Sequence, residues 1–187
     1  MAAALSWEAA NGLPSEISDL LGGSFELLFA IPEHKVALPG GRRESQCDVF
    51  ALVKKRDELT AIAVEAKVNE TFGPTVGEWK VDASAGKIER MKFICDLLGL
   101  SAPPPNDLRY QLFHRTAAAI LEARRFNADR AAMIVQSFSQ KHRWFEDFQA
   151  YANLLGLQAE RGRALHYDLP SGMPLILGWA VGSEAFL

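Results

Sequence analysis

Two apolar runs around a short charged turn, QCDVFALVKKRDELTAIAVEAK from Gln46 to Lys67, constrain the fold more than any other part of the chain. Both runs are rich in Val, Ile, Ala and Phe, and KKRDE between them supplies turn residues, so the segment reads as a β-hairpin. A two- or four-residue loop centred between Arg56 and Asp57 fixes the register, because residues equidistant from that centre then face each other. Asp48 stands opposite Glu65 on one face, with β-carbons about 5 Å apart. Strand alternation puts Lys67 on that face as well. A three-residue turn would break this register.

Two carboxylates held side by side repel each other unless something compensates. A lysine compensates one of them. A divalent cation compensates both, and Mg²⁺ suits a site of one or two carboxylates completed by waters and substrate phosphate. Such a cation binds a scissile phosphate and lowers the pKa of a bound water, and Lys67 would orient that water or stabilise the charge of the transition state. These residue types match metal-dependent phosphodiester hydrolysis. Two other E-x-K triplets lack the context: Glu33-His34-Lys35 follows Pro32, and Glu78-Trp79-Lys80 lies in a Gly/Pro-rich stretch read as loop. The plain alternative for Asp48, Glu65 and Lys67 is a solvated hairpin end with a surface ion pair, worth about 0–1 kcal/mol.

Around the hairpin, LPSEISDLLGG reads as a short helix opened by Pro14 and Ser15 and closed by Gly22-Gly23. SFELLFAI is a strand, broken at Pro32 and resumed in HKVAL. After the hairpin, AGKIERMKFICDLLGL places Ile88, Met91, Ile94, Cys95 and Leu98 on one helical stripe. Asn106 or Asp107 is positioned to cap the next helix, LRYQLFHRTAAAILEARRF. RAAMIVQSFS reads as a buried strand, WFEDFQAYANLLGL as an amphipathic helix, and ALHYDL with PLILGWAVG as a closing hairpin turned by PSGM. The order α, β, β, β, α, α, β, α, β, β describes one mixed α/β domain over residues 1–187.

Asp48 near the start of one strand and VEAK at the end of the next resemble the PD-(D/E)xK nuclease superfamily, the restriction-endonuclease-like fold. Its core of a helix, three meandering strands, a helix and a further strand is similar to the order from Ser15 to about Ser139. The chain's C-terminal helix and hairpin are additions to that core. The resemblance implies a mixed sheet flanked by helices, Asp48 and Glu65 as metal carboxylates, Lys67 as the catalytic lysine, and Mg²⁺ or Mn²⁺ as cofactor. It also implies Glu16, on the first helix, as a further metal ligand. Cys47 stands where the family's proline usually precedes the aspartate. The substrate class is nucleic acid, DNA first, and a homodimer would cut two strands with two protomers.

Gln111, His114, Arg115 and Glu122 share one face of their helix. Gln111, His114 and Arg115 are expected to contact phosphate or a base edge, whereas Glu122 reads as part of an ordinary wet face. Arg42 and Arg43 either guide a phosphate backbone into the site or are routine loop arginines. Trp144, Phe145, Phe148 and Tyr151 read as core or a dimer seam.

The net charge of −3 disfavours a dedicated nucleic-acid coat protein without excluding an enzyme with a local basic groove. Cys47 and Cys95 make neither a disulfide framework nor a zinc cluster and are expected to be buried thiols. The N-terminus lacks the basic region of a signal peptide, and no run reaches the ~18 apolar residues of a membrane span, so the expected compartment is the cytoplasm. Two further readings stay open: a catalytically inactive nuclease-fold module that binds nucleic acid or a protein, and a dimerisation protein built on the aromatic C-terminal half.

Overall fold

A computed structural model describes residues 2–187. Helices α1 (Ala2–Ala9) and α2 (Ser15–Leu20) lead into three strands, β1 (Glu26–Val36), β2 (Ser45–Lys55) and β3 (Glu58–Lys67). Helices α3 (Val76–Lys80), α4 (Ala85–Leu98) and α5 (Tyr110–Arg125) follow, then β4 (Arg130–Ser137) and α6 (Phe145–Leu154). Strands β5 (Ala164–Asp168) and β6 (Pro174–Val181) close the sheet, and a 3-10 turn spans Glu184–Phe186. The strands lie in the order β1-β2-β3-β4-β6-β5. β4 runs parallel to both β3 and β6, and the other pairs are antiparallel. The protein is α/β: a six-stranded mixed open sheet with helices on both faces.

The pleat divides the core in two. Phe50, Leu52, Ala61, Ala63, Met133, Val135, Leu177 and Trp179 pack under α4, α5 and α6. Val49, Ala51, Val53, Ile62, Val64, Ala132 and Ile134 pack with α1, α2 and the 3-10 turn. The central strands are therefore apolar on both sides, as parallel strands inside a layered sheet require. Each fully buried Val, Leu, Ile, Phe or Met among them contributes roughly 1.5–3 kcal/mol. Gly178 is a close-approach position: a Cβ there would lie 2.6 Å from Leu20 Cδ2, so its missing side chain lets α2 seat on β6.

The β2–β3 register follows the two-residue turn, with Lys55 paired to Glu58 and Val49 to Val64. Arg56 takes a φ of 56°, the left-handed conformation such a hairpin uses. Five expectations are corrected. Pro32 does not break β1: it pairs with Val49 inside one continuous strand, because β1 is an edge strand and a missing N–H can face outward there. The N-terminal residues form α1, and the supposed loop before α4 contains α3, started by a capping box between Thr75 and Glu78. Arg109, not Asn106 or Asp107, is the N-cap of α5, without a side-chain cap bond. Ile88 is 63% exposed although Ile94 and Leu98 on the same stripe are fully buried.

Candidate functional site

Pairing between β2 and β3 ends at Val49–Val64, one step short of Asp48 and Glu65. Beyond that step the Ala66 N–H donates to Asp48 Oδ2 at 2.7 Å instead of to a strand carbonyl. Alternation from Phe50 and Leu52 places Asp48 on the α5 side of the sheet. Cys47 packs on that side too, so alternation slips at Asp48, opposite a Glu33 with φ 54°. The irregularity turns one carboxylate toward the end of β3.

Glu65 and Lys67 occupy the same face of β3, only 2% and 4% exposed. Lys67 Nζ donates to Glu65 Oε1 at 2.6 Å, and Arg115 Nε donates to Glu65 Oε2 at 2.5 Å. Arg115, from α5, also donates to Ser45 Oγ at 3.0 Å, and Ser45 Oγ lies 2.8 Å from His114 Nδ1. Phe72 supplies a ring beneath the lysine, with Nζ 5.1 Å from its centroid. Two acids and two cations thus form one charge-balanced cluster. The reading of this trio as a solvated strand end is corrected: the pairs are sealed under α5, where losing one partner costs far more than at a surface.

Burial first, and repulsion from Glu65 second, push Asp48 up from 3.8 to about 6, while the Ala66 N–H, Arg115 and Lys67 act in the opposite direction. Burial first, and the charges of Arg115 and Arg90 second, hold the His114 imidazole well below its ordinary range, so it is neutral at pH 7. Burial pushes the Cys47 thiol up to about 12, which makes it inert. Gln111 Oε1 and Ser137 Oγ are buried without a protein partner. Ser137 is paired in register with Lys67 across the parallel β3–β4 ladder, so this unsatisfied hydroxyl borders the cluster.

Residues 1–184 match the family described as Domain of unknown function (DUF6946). The chain belongs to the DUF6946 family. No curated protein and no solved structure matches it.

In this DUF6946 chain the remaining expected site residues separate into three groups. His114 and Arg115 join the cluster directly, and Gln111 lies one helical turn before them on α5. Glu16 does not join: it accepts from Gln136 Nε2 at 2.7 Å and lies near Ser6. Gln136 alternates with Val135 and Ser137, so it points to the α1–α2 side, and Glu16 is separated from Glu65 by the thickness of the sheet. Arg42 and Arg43 are exposed on the loop before β2. Arg90 fixes that loop, donating to the carbonyls of Leu38, Pro39, Gly41 and Arg43. Glu122, read as a wet-face residue, is instead 3% exposed and paired with His34 Nε2 at 3.1 Å.

The donor set fits a hard divalent cation in a limited sense. Among the described residues Asp48 Oδ1 has no hydrogen-bond donor, and beyond its bond to the Ala66 N–H the carboxylate is held mainly against burial, with repulsion from Glu65 second. Glu65 is the second carboxylate, but each of its oxygens already accepts from a cation. Among the described residues no three His, Cys, Asp or Glu side chains group as a metal-binding set. These residues therefore offer such a cation two carboxylates at most, and Glu65 would have to give up Lys67 or Arg115 to bind it. Sequence reasoning missed Ser45, Arg90 and the His34–Glu122 pair, whose partners are dozens of residues away with no local signal.

Proposed function

We propose that this DUF6946 protein is a metal-dependent nuclease of the PD-(D/E)xK type that hydrolyses phosphodiester bonds in DNA, built on a restriction-endonuclease-like core. One observation carries the reading: Asp48 and Glu65 lie one step beyond the last paired residues of β2 and β3, with the Ala66 N–H donating to Asp48 and Lys67 donating to Glu65. The succession α2, β1, β2, β3, α5, β4 is consistent with such a core.

Asp48 and Glu65 would hold Mg²⁺ or Mn²⁺. Bound there, the cation would neutralise phosphate charge and make a bound water a better nucleophile. Asp48 is oriented by the Ala66 N–H and reaches solvent further than Glu65 or Lys67, so substrate approaches from its side. Lys67 and Arg115 place positive charge where a pentacovalent phosphorane would gain negative charge, in surroundings that screen it little. Arg42 and Arg43 lie on the pinned loop that enters β2 and would contact the flanking phosphates.

The test is cleavage of linear and supercoiled DNA with Mg²⁺ or Mn²⁺ by wild type and Glu65→Ala, both checked for folding by circular dichroism. The expected result is a loss of at least about a hundredfold in the variant. Equal rates in the two proteins would end the assignment.

A second reading has its own observation. Both oxygens of Glu65 are engaged and its side chain is nearly sealed, as expected of an inactive nuclease-fold module that binds nucleic acid or protein. Calorimetry with Mn²⁺ separates the two: heat that disappears in Asp48→Asn favours the enzyme. DNA binding without metal binding favours the module.

A further inference from the structure

Between α3, α4 and the segment after α4 lies a half-open cavity of about 380 Å³, within the size range of small-molecule sites. It is lined by the α3 end at Trp79 and Lys80, by Ile88, Met91 and Cys95 of α4, and by the Leu100–Pro103 segment. None of these residues belongs to the Asp48–Glu65–Lys67 cluster, and the inference is independent of the nuclease reading.

Three features give the cavity a chemical preference. Its walls are mainly apolar, and Ile88, at 63% exposure the residue that departs from the buried stripe of α4, stands on its rim. A large aliphatic side chain left in water on the rim of a ready-made hollow gains burial once the hollow is filled. The aromatic wall is rigid, because Trp79 stacks on Tyr110 with ring centroids 3.9 Å apart and planes at 15°.

The charge on the rim is one-sided. Lys92 is matched by Asp96 at 2.5 Å. Lys80 and Lys87 have no carboxylate partner among the described residues. Lys87 Nζ is fixed by the carbonyls of Trp79 at 2.7 Å and Val81 at 3.1 Å, and lies 5.6 Å from the Trp79 ring centroid. An ammonium has three donors, so one remains beyond these two carbonyls. In a chain of net charge −3, an apolar hollow with two unmatched lysines at its mouth is complementary to an anion with an apolar body.

We propose that this cavity is a binding site for a small amphiphilic anion, its apolar body against Met91, Cys95, Leu100 and Trp79 and its carboxylate or phosphate head at Lys80 and Lys87. Burial of the body supplies most of the affinity. The lysines select for charge.

The test uses naphthalene-2-carboxylate as probe and naphthalene-2-carboxamide as its neutral counterpart, with titration calorimetry and amide chemical-shift mapping on the full chain. The acid is expected to bind with shifts centred on Trp79, Ile88, Met91 and Leu100, and the amide about tenfold more weakly. Met91→Trp fills the hollow and should abolish binding. Lys80→Gln, a surface change that leaves the fold intact, should weaken the acid several-fold and leave the amide unaffected. No binding at about 1 mM acid, shifts elsewhere, equal affinity for acid and amide, or unchanged binding by folded Met91→Trp would each overturn the proposal.

Discussion

Replacing Asp48 by Asn should make the protein more stable at neutral and alkaline pH. The amide is isosteric, and its Oδ1 can still accept from the Ala66 N–H, so the 2.7 Å bond survives. What disappears is a charge held against burial and against Glu65, the two causes that raise Asp48 from 3.8 to about 6. The sign follows from linkage: a group whose folded pKa is raised contributes stability fully present below about 3.8 and lost as pH rises through about 6. Above pH 6 the wild type carries the whole penalty and the Asn variant carries none. Roughly two pH units at about 1.4 kcal/mol each give about 3 kcal/mol, and residual contact of Asp48 with water trims this to about 2 kcal/mol. For a chain of this size that is a rise in Tm of about 4–8 °C at pH 8. Urea denaturation and calorimetry of both proteins from pH 4 to 8 would measure it, with the difference shrinking as pH falls and absent near pH 4. A variant less stable than wild type at pH 8, or a gain independent of pH, would refute the electrostatic account of Asp48. A gain in stability alongside lost metal binding is the pattern of a residue kept for function.

Glu65→Gln leaves Lys67 and Arg115 buried beside a neutral amide and should cost about 3–5 kcal/mol in urea unfolding, with Arg115→Met partly reversing the loss in the double variant. A cost below about 0.5 kcal/mol would mean that the cluster is solvated. Gly40→Ala should free the loop bearing Arg42 and Arg43, since φ is +74° and a Cβ would sit 2.3 Å from the Gly86 carbonyl and 2.4 Å from the Arg90 nitrogen. Faster amide exchange from Leu38 to Glu44, with β3 and β4 still protected, is the expected readout.

The hairpin register was legible because it depends only on local facts: a two-residue turn, two alternating strands, and equal distances from the turn. The same arithmetic puts Asp48 across from Glu65, one step beyond the last paired residues. Arg115 lies fifty residues beyond Glu65 and reaches it only because α5 is laid across β3 by the crossover to β4, which no local pattern specifies. Glu16 failed for a related reason: chain order puts α2 next to the sheet but does not say on which face. The short helix α3 has no legible period because five residues cannot display one, although Thr75 and Glu78 stand at capping-box spacing, the one local signal for it. Ile88 obeyed the period and still lies outside the core, because periodicity identifies a stripe and not what covers it.

The outer rim of β1 is irregular along its length. Register shifts between Leu27 and Phe29, Pro32 offers no donor, and Glu33 is twisted to a positive φ. A second chain laid along this rim would meet its hydrogen-bonding groups out of step, so the sheet does not grow at that end by adding strands. Strand exchange between copies of the protein is accordingly disfavoured along the β1 rim.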